Sequence, residues 1–428
     1  MIDVDVSRAE KFLSEENLHQ AKVTAADALK TVRQQNGEGA EWLGWRSLLD
    51  DPNDAILEQL DRLGTAIREE ADVFLVCGIG GSYLGARAVI EALSPFFNQE
   101  APEIIYVGHH MSGGYLQELI EYLDTPKVDG EPKSVYCNVI SKSGTTLETA
   151  LSFRKIRNWM GNTYPDSLQQ RIICTTSSEG GALNKLIDEY DFQKFVIPDD
   201  VGGRFSVLTP VGLFPMAVAG IDIRSLFYGA VTEYEKLENE AEILINYAAV
   251  KYALYQKGKQ MDVLTSFEPE LSGLCGWLQQ LLGESEGKKQ KGMLPVTASY
   301  STDLHSLGQF MQDGSRTMME TFITVQKSDT SFTVEETESN NDELNYLAGK
   351  SFHDINSKAR KGTISAHTEG GVPCISVNIE VLNASQVGAF IYFYELFTAV
   401  YCYCLGVNPF TQPGVENYKK RMYKLLDK

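Results

Sequence analysis

No CxxC pair occurs in this chain, and its seven cysteines fall at no zinc-like spacing. Cys77, Cys137, Cys174, Cys374, Cys402 and Cys404 sit in apolar segments, so they read as reduced, buried thiols and not as a disulfide framework or a metal clip. The six histidines are scattered, and the adjacent His109 and His110 lack a spaced partner, so no metal is expected. Positive charge is scarce too. A net charge of −20 argues against nucleic acid as a partner, because phosphate backbones need clustered Lys and Arg. The longest apolar runs, such as Val387 to Phe397, are broken by Gly, Tyr or Glu well short of a membrane span. Met1 to Gln20 alternates charge with single apolar residues and reads as neither a signal peptide nor a transit peptide. A cytoplasmic protein without a membrane partner is expected.

What is present is an ordinary globular balance, 43% hydrophobic and 22% charged over 428 residues, enough for two or more domains with full cores. Ala21 to Arg33 and Asp54 to Glu70 carry helical periodicity, with no strand signal in the first 65 or so residues. From Ala71 the pattern alternates. The runs "DVFLVC", "IIYVG", "SVYCNVI", "RIICTT" and "KFVIP" predict strands, and helical stretches separate them. Five such units imply an α/β fold, a parallel sheet covered by helices on both faces. A helical region from Ile221 to about Gly258 leads into a second series, "MDVLTSF", "MLPVTASY", "TFITVQ" and "VPCISVNI". Two βα halves of this kind are compatible with a diverged duplication. The aromatic run "VGAFIYFYELFTAVYCYC" predicts a core or interface helix, and Val415 to Lys428 an amphipathic terminal one. The acidic "VEETESNNDELN", Val334 to Asn345, reads as a solvated loop and helix start.

Ligands of parallel sheets bind at the strands' carboxyl ends, and two stretches fall there. "GIGGSYLGARA" is not a dinucleotide fingerprint, because Tyr83 stands where the third glycine belongs, and not a Walker A loop, because Ala86 and Arg87 follow Gly85. A tight glycine turn with exposed N–H groups and Ser82 remains, suited to a phosphate or hydroxylated ligand. The second stretch, "SKSGTT", sets Ser141, Lys142, Ser143, Thr145 and Thr146 before a helix. Thr145 with Glu148 matches a capping box, yet one cap needs one hydroxyl and four are present with a lysine. A phosphate dianion gains from hydroxyls, amides and a helix dipole together, at roughly 1.5–3 kcal/mol for each charge-assisted bond.

Three further groups are ambiguous from spacing alone. Arg204, in "GGRFSVLTP", precedes a helix expected from about Ser206; it pairs either with Asp199 or Asp200 or with a developing oxyanion. Glu284 follows an apolar helix, Leu271 to Leu282, and a helix-ending Gly283, which sets a carboxylate at a helix end, partly out of water, as a candidate general base. His305 opens another helix.

Taken together, "GIGGSYLGARA", "ISKSGTTLET", "GGRFSVLTPVGL", "GESEGK", "TDLHSLGQ" and "NPFTQPGVENYKK" resemble the glucose-6-phosphate isomerase family, in its short bacterial form, in the same order and from Gly78 to Lys420. The resemblance implies two SIS-type αβα sandwich domains with parallel sheets, N-terminal helices and a C-terminal helical arm. The first spans 70–203 and carries the phosphate-binding loops; the second comprises 204–428 with 1–69 and carries the catalytic Glu and His. It implies that Gly81, Ser82, Ser141, Lys142, Ser143, Thr145, Thr146, Gln280 and Gln412 contact a hexose 6-phosphate. Arg204 matches the arginine that stabilises an enediolate, Glu284 the base that moves the proton, His305 the ring-opening histidine donated across a homodimer, and Lys419 the lysine of the C-terminal motif. No cofactor is implied. Glu286 stands where animal-type members carry Asn, and Gly144 and Pro413 where they carry aromatics. A sugar-phosphate-sensing regulator would not need Glu284, Arg204, His305 and Lys419 together, and a nicotinamide oxidoreductase would need the absent fingerprint.

Overall fold

The structure, a computed structural model, describes residues 2–97 and 102–427. Ten strands occur among the described residues: β1 Asp3–Asp5, β2 Val73–Cys77, β3 Glu103–Val107, β4 Val135–Ile140, β5 Ile172–Thr176, β6 Gln193–Val196, β7 Met261–Ser266, β8 Leu294–Ser299, β9 Met318–Lys327 and β10 Cys374–Val381. The chain divides into two compact units, Glu38–Tyr234 with Val387–Glu395, and Met1–Gly37 with Glu235–Gln386 and Leu396–Lys428.

In the unit built on Glu38–Tyr234, β2 to β6 form one parallel sheet in the order β3-β2-β4-β5-β6. Every residue of β2, β4 and β5 is buried, which is why these strands read as continuous apolar runs: both faces are covered by helices. Leu75, Cys77, Cys137 and Val139 pack on one face with Phe153, Ile156 and Met160 of the Leu147–Thr163 helix. The unit reaches beyond 70–203 at both ends for a packing reason. The Asp54–Glu70 helix buries Leu57, Leu60 and Ile67, the Pro210–Val218 helix is buried almost throughout, and Phe214 meets Phe74 of β2 edge to face at 5.9 Å.

In the other unit β7 to β10 are parallel, and the order β8-β7-β9-β10-β1 repeats that of the first sheet with an antiparallel fifth strand. That fifth strand, β1, lies in a stretch whose sequence shows no strand signal. It is only Asp-Val-Asp, a charged edge strand held by pairing to β10 (Val4 opposite Val377) and by Asn378 Nδ2 donating to Asp3 at 2.9 Å.

The Ala384–Leu405 helix corrects the reading of the apolar runs. It is unbroken over 22 residues, and its most apolar window has mean hydropathy 1.3, so by length and composition it could cross a membrane; 94% of that window is buried inside the protein. The acidic stretch 334–345 is almost wholly exposed and leads only into a short 3-10 turn, Asn345–Leu347.

Candidate active site

At the carboxyl end of β4 the chain leaves the sheet as Ser141 to Thr146 and enters the Leu147–Thr163 helix. The N-cap is Thr146, and its side chain makes no capping bond. Thr145 is therefore not the cap that the capping-box spacing predicts. Its hydroxyl donates to Ser143 Oγ at 3.1 Å, and the same oxygen accepts the Thr145 N–H at 3.2 Å. Ser141 is buried, and its Oγ accepts the Gly144 N–H at 3.1 Å. Gly144 holds φ +68°, and a Cβ there would lie 2.5 Å from the Leu183 backbone nitrogen. Only glycine fits this turn.

Lys142 behaves differently from a free phosphate ligand. Its Nζ donates to the carbonyls of Asp199 at 2.7 Å and of Pro198 and Val201 at 3.3 Å, and lies 5.0 Å from the centre of the Trp42 ring. Burial lowers the pKa of this ammonium, against the opposing pull of Asp199 and Asp200. The ammonium ties the β4 loop to the β6 loop.

The glycine turn after β2 forms a 3-10 turn, Gly80–Ser82, before the Leu84–Leu93 helix. A Cβ on Gly81 would sit 2.1 Å from the Gly203 carbonyl oxygen and 2.7 Å from Arg204 N. The absence of a side chain lets the β2 loop touch the β6 loop and brings Ser82 and Arg204 onto neighbouring backbones. Arg204 belongs to a 3-10 turn, Gly203–Phe205, and is buried, with its guanidinium 5.5 Å from the Phe205 ring centre. The helix expected from Ser206 starts at Pro210, capped by Thr209.

In the other unit Glu284 lies in the last turn of the Ser272–Glu286 helix. Gly283 does not end that helix; Gly287 does, because Ser285 and Glu286 are buried and hold the final turn in place. Both carboxylate oxygens of Glu284 accept an amide N–H, Oε1 from Gln280 at 3.1 Å and Oε2 from Gln412 at 2.5 Å. Gln280 is one helical turn away, whereas Gln412 stands at the N-cap of the Pro413–Leu425 helix. The other polar atom of the Gln280 amide, Oε1, is buried without a hydrogen bond. His305 is exposed at the end of a 3-10 turn, Thr302–His305, and its side chain makes no hydrogen bond among the described residues. It does not open a helix; the next begins at Gly308. Lys419 is half-buried on the terminal helix, 3.3 Å from Glu416.

One group near this helix end is not foreseen from the sequence. Lys251 Nζ is fully buried 3.0 Å from Asp262 and 3.4 Å from Glu286, and lies 4.6 Å from the Tyr401 ring centre. Glu286 Oε2 also accepts the Met293 N–H at 2.9 Å. A lone lysine inside the apolar run "NYAAVKYALY" is the signal that could have pointed to it. Lys288 is anchored nearby by donating to the carbonyls of Ser285 and Asn408 at 2.7 and 2.6 Å.

The phosphoglucose isomerase family profile matches residues 61–428. Over the whole chain and 96% of their own length, the protein is 45% identical to the glucose-6-phosphate isomerases of Staphylococcus saprophyticus and Shouchella clausii. This chain belongs to the phosphoglucose isomerase family. Among solved structures, a hypothetical protein from Thermus thermophilus superposes with a TM-score of 0.89 at 27% identity, covering both chains completely. A glucose-6-phosphate isomerase from Chlamydia trachomatis superposes at 0.78 with 17% identity, over 97% of this chain and 86% of that one, and so shares the fold. Membership accounts for the SIS-type parallel sheets. Within the first unit the hydroxyl loop, Gly81, Ser82 and Arg204 cluster at one end of the sheet; within the second, Gln280 and Gln412 converge on Glu284.

Proposed function

We propose that this protein interconverts glucose 6-phosphate and fructose 6-phosphate by moving one proton between C2 and C1 and one between O2 and O1. The observation that carries the reading is Glu284, a carboxylate fixed at a helix end by one amide on each oxygen. The fixed orientation of this carboxylate serves general base catalysis. The hydroxyls and amides of Ser82 and Ser141 to Thr146, with the N-terminus of the following helix, hold the phosphate. His305 and Lys419 carry protons during ring opening. Glu284 then takes the C2 proton of the aldose, Arg204 stabilises the negative charge of the cis-enediolate, the O2 hydroxyl proton passes to O1, and the protonated carboxyl returns its proton to C1. Electrons stay within the substrate, so no redox cofactor enters. Direct quantification of both sugar phosphates after incubation in EDTA and without nucleotide tests the whole; no conversion of either overturns it.

The amides make a sharper prediction. Removing a hydrogen bond to a charged group costs about 1.5–3 kcal/mol, so Gln412→Leu is expected to lower kcat about tenfold to a hundredfold with little change in KM. A rise in KM at constant kcat would instead assign Gln412 to substrate binding alone.

We also infer a homodimer in which His305 serves the partner's site. Its exposure, and the exposed Leu307 and Phe310 beside it, support this, since clustered apolar surface fits a subunit contact. Mixing Glu284→Gln with His305→Ala is then expected to restore activity, because each hybrid holds one site with both groups intact. Random exchange gives about a quarter of wild-type activity for a closed two-fold dimer. No recovery after proven exchange overturns the shared site. The seven free, buried cysteines fit a reducing compartment, and a cytoplasmic location is part of the proposal.

A further inference from the structure

Behind the hydroxyl loop, between the Leu147–Thr163 and Gly181–Tyr190 helices, lies a cavity of about 380 Å³. Its floor is apolar, formed by Val139, Phe153, Leu183 and Leu186, and its rim carries Arg154, Arg157 and Lys185 against a single carboxylate, Glu189. Three cations at one small opening run against the trend of a chain with net charge −20. None of the three forms an ion pair among the described residues; Arg157 only stacks on the Tyr190 ring at 5.1 Å. A sugar phosphate presents too little apolar surface to cover this floor, and a plain hydrocarbon would leave the cations unanswered.

One end of the cavity is closed by Ser141 and Gly144 of the hydroxyl loop. That loop rests on the first turn of the Gly181–Tyr190 helix. Ala182 N donates to the Ser143 carbonyl at 3.3 Å, and the Gly144 backbone is so close to Leu183 that no side chain fits between them. A guest that parts the two helices withdraws this support.

We propose that the cavity is a second ligand site for an amphipathic anion, an apolar body bearing one acid group, and that its occupancy weakens the hydroxyl loop's hold on phosphate. The coupling rests on the reading of that loop as the phosphate site; the binding does not. Apolar burial supplies the affinity, and the guanidinium and ammonium groups select the charge.

Anilinonaphthalene sulfonate, an apolar fluorophore with one sulfonate, is the probe, titrated into the full-length protein. One saturable class of sites is expected. Arg154→Glu with Arg157→Glu is expected to weaken it about tenfold or more, two charge-assisted contacts being lost, and Leu186→Trp to fill the cavity and abolish binding. Retained isomerase turnover in the charge-reversed variant, and a thermal unfolding midpoint of Leu186→Trp close to that of wild type, show that they fold. Saturating inorganic phosphate is expected to weaken the probe about fivefold, and the probe to weaken phosphate by the same factor, since coupling is reciprocal. Unchanged probe affinity in the charge-reversed protein overturns the site. If phosphate raises the melting temperature yet leaves the probe's affinity unmoved, the coupling is overturned. If phosphate gives no such stabilisation, it is the phosphate-loop reading that fails, and the arginine dependence alone decides the site.

Discussion

Glu284→Gln is expected to lower kcat by about 10²–10⁴, the usual contribution of a positioned general base, with a much smaller change in KM. The substitution preserves length and shape but removes the basic lone pairs. It need not disturb the fold. The Gln280 amide has its Oε1 buried and unbonded, so it can turn over and accept from the new side chain, while the exposed Gln412 can reorient. Glu284→Asp separates chemistry from placement. It keeps the carboxylate but withdraws it by one methylene from both amides, and an intermediate kcat is expected. Turnover close to wild type in Glu284→Gln, measured in the cofactor-free isomerase assay, would mean that another group moves the proton.

The largest expected effect on stability comes from Lys251→Met. This ammonium answers the charges of both Asp262 and Glu286, at 3.0 and 3.4 Å with no solvent access, and a buried charge left without its partner costs about 3–5 kcal/mol. Adding Glu286→Gln and Asp262→Asn to Lys251→Met is expected to recover most of the loss, because replacing a whole buried ionic group is often close to neutral. Urea or thermal unfolding of wild type, the single variant and the triple variant side by side checks this.

The pH dependence follows from the shifts. Burial alone would lower the pKa of Lys251, but Glu286 and Asp262 outweigh it and the net shift is upward. Its stabilising contribution is therefore complete below the unfolded value of about 10.4 and is lost only as the pH rises through the folded value. Burial raises Glu286, with Lys251 pulling the other way. A carboxyl raised in the folded state favours folding most at pH below its unfolded value of about 4.3 and loses that advantage as the pH rises. Without Lys251 the loss is steeper. The deficit of Lys251→Met against wild type is thus expected to shrink on acidification, and a deficit that grew instead would exclude this account.

Much of this molecule is local in origin. The buried strands β2, β4 and β5, the glycine turn after β2, the hydroxyl loop after β4 and the helices that follow are each specified by a few consecutive residues, because hydrophobic period, turn chemistry and helix-start signals act over short distances. Gly283 and Thr145 show where such signals mislead: burial of Ser285 and Glu286 carries the helix past one, and the Ser143 hydroxyl diverts the other. Tertiary structure alone decided the rest. β1 exists only because β10 offers it an edge, Gln412 reaches Glu284 across 128 residues of chain, Lys142 is anchored by carbonyls of the β6 loop, and Lys251 finds two carboxylates on separate elements. The physical reason is common to all four: hydrogen bonds and ion pairs form where atoms meet within about 3 Å, and no short-range pattern records which distant segments the packing brings together.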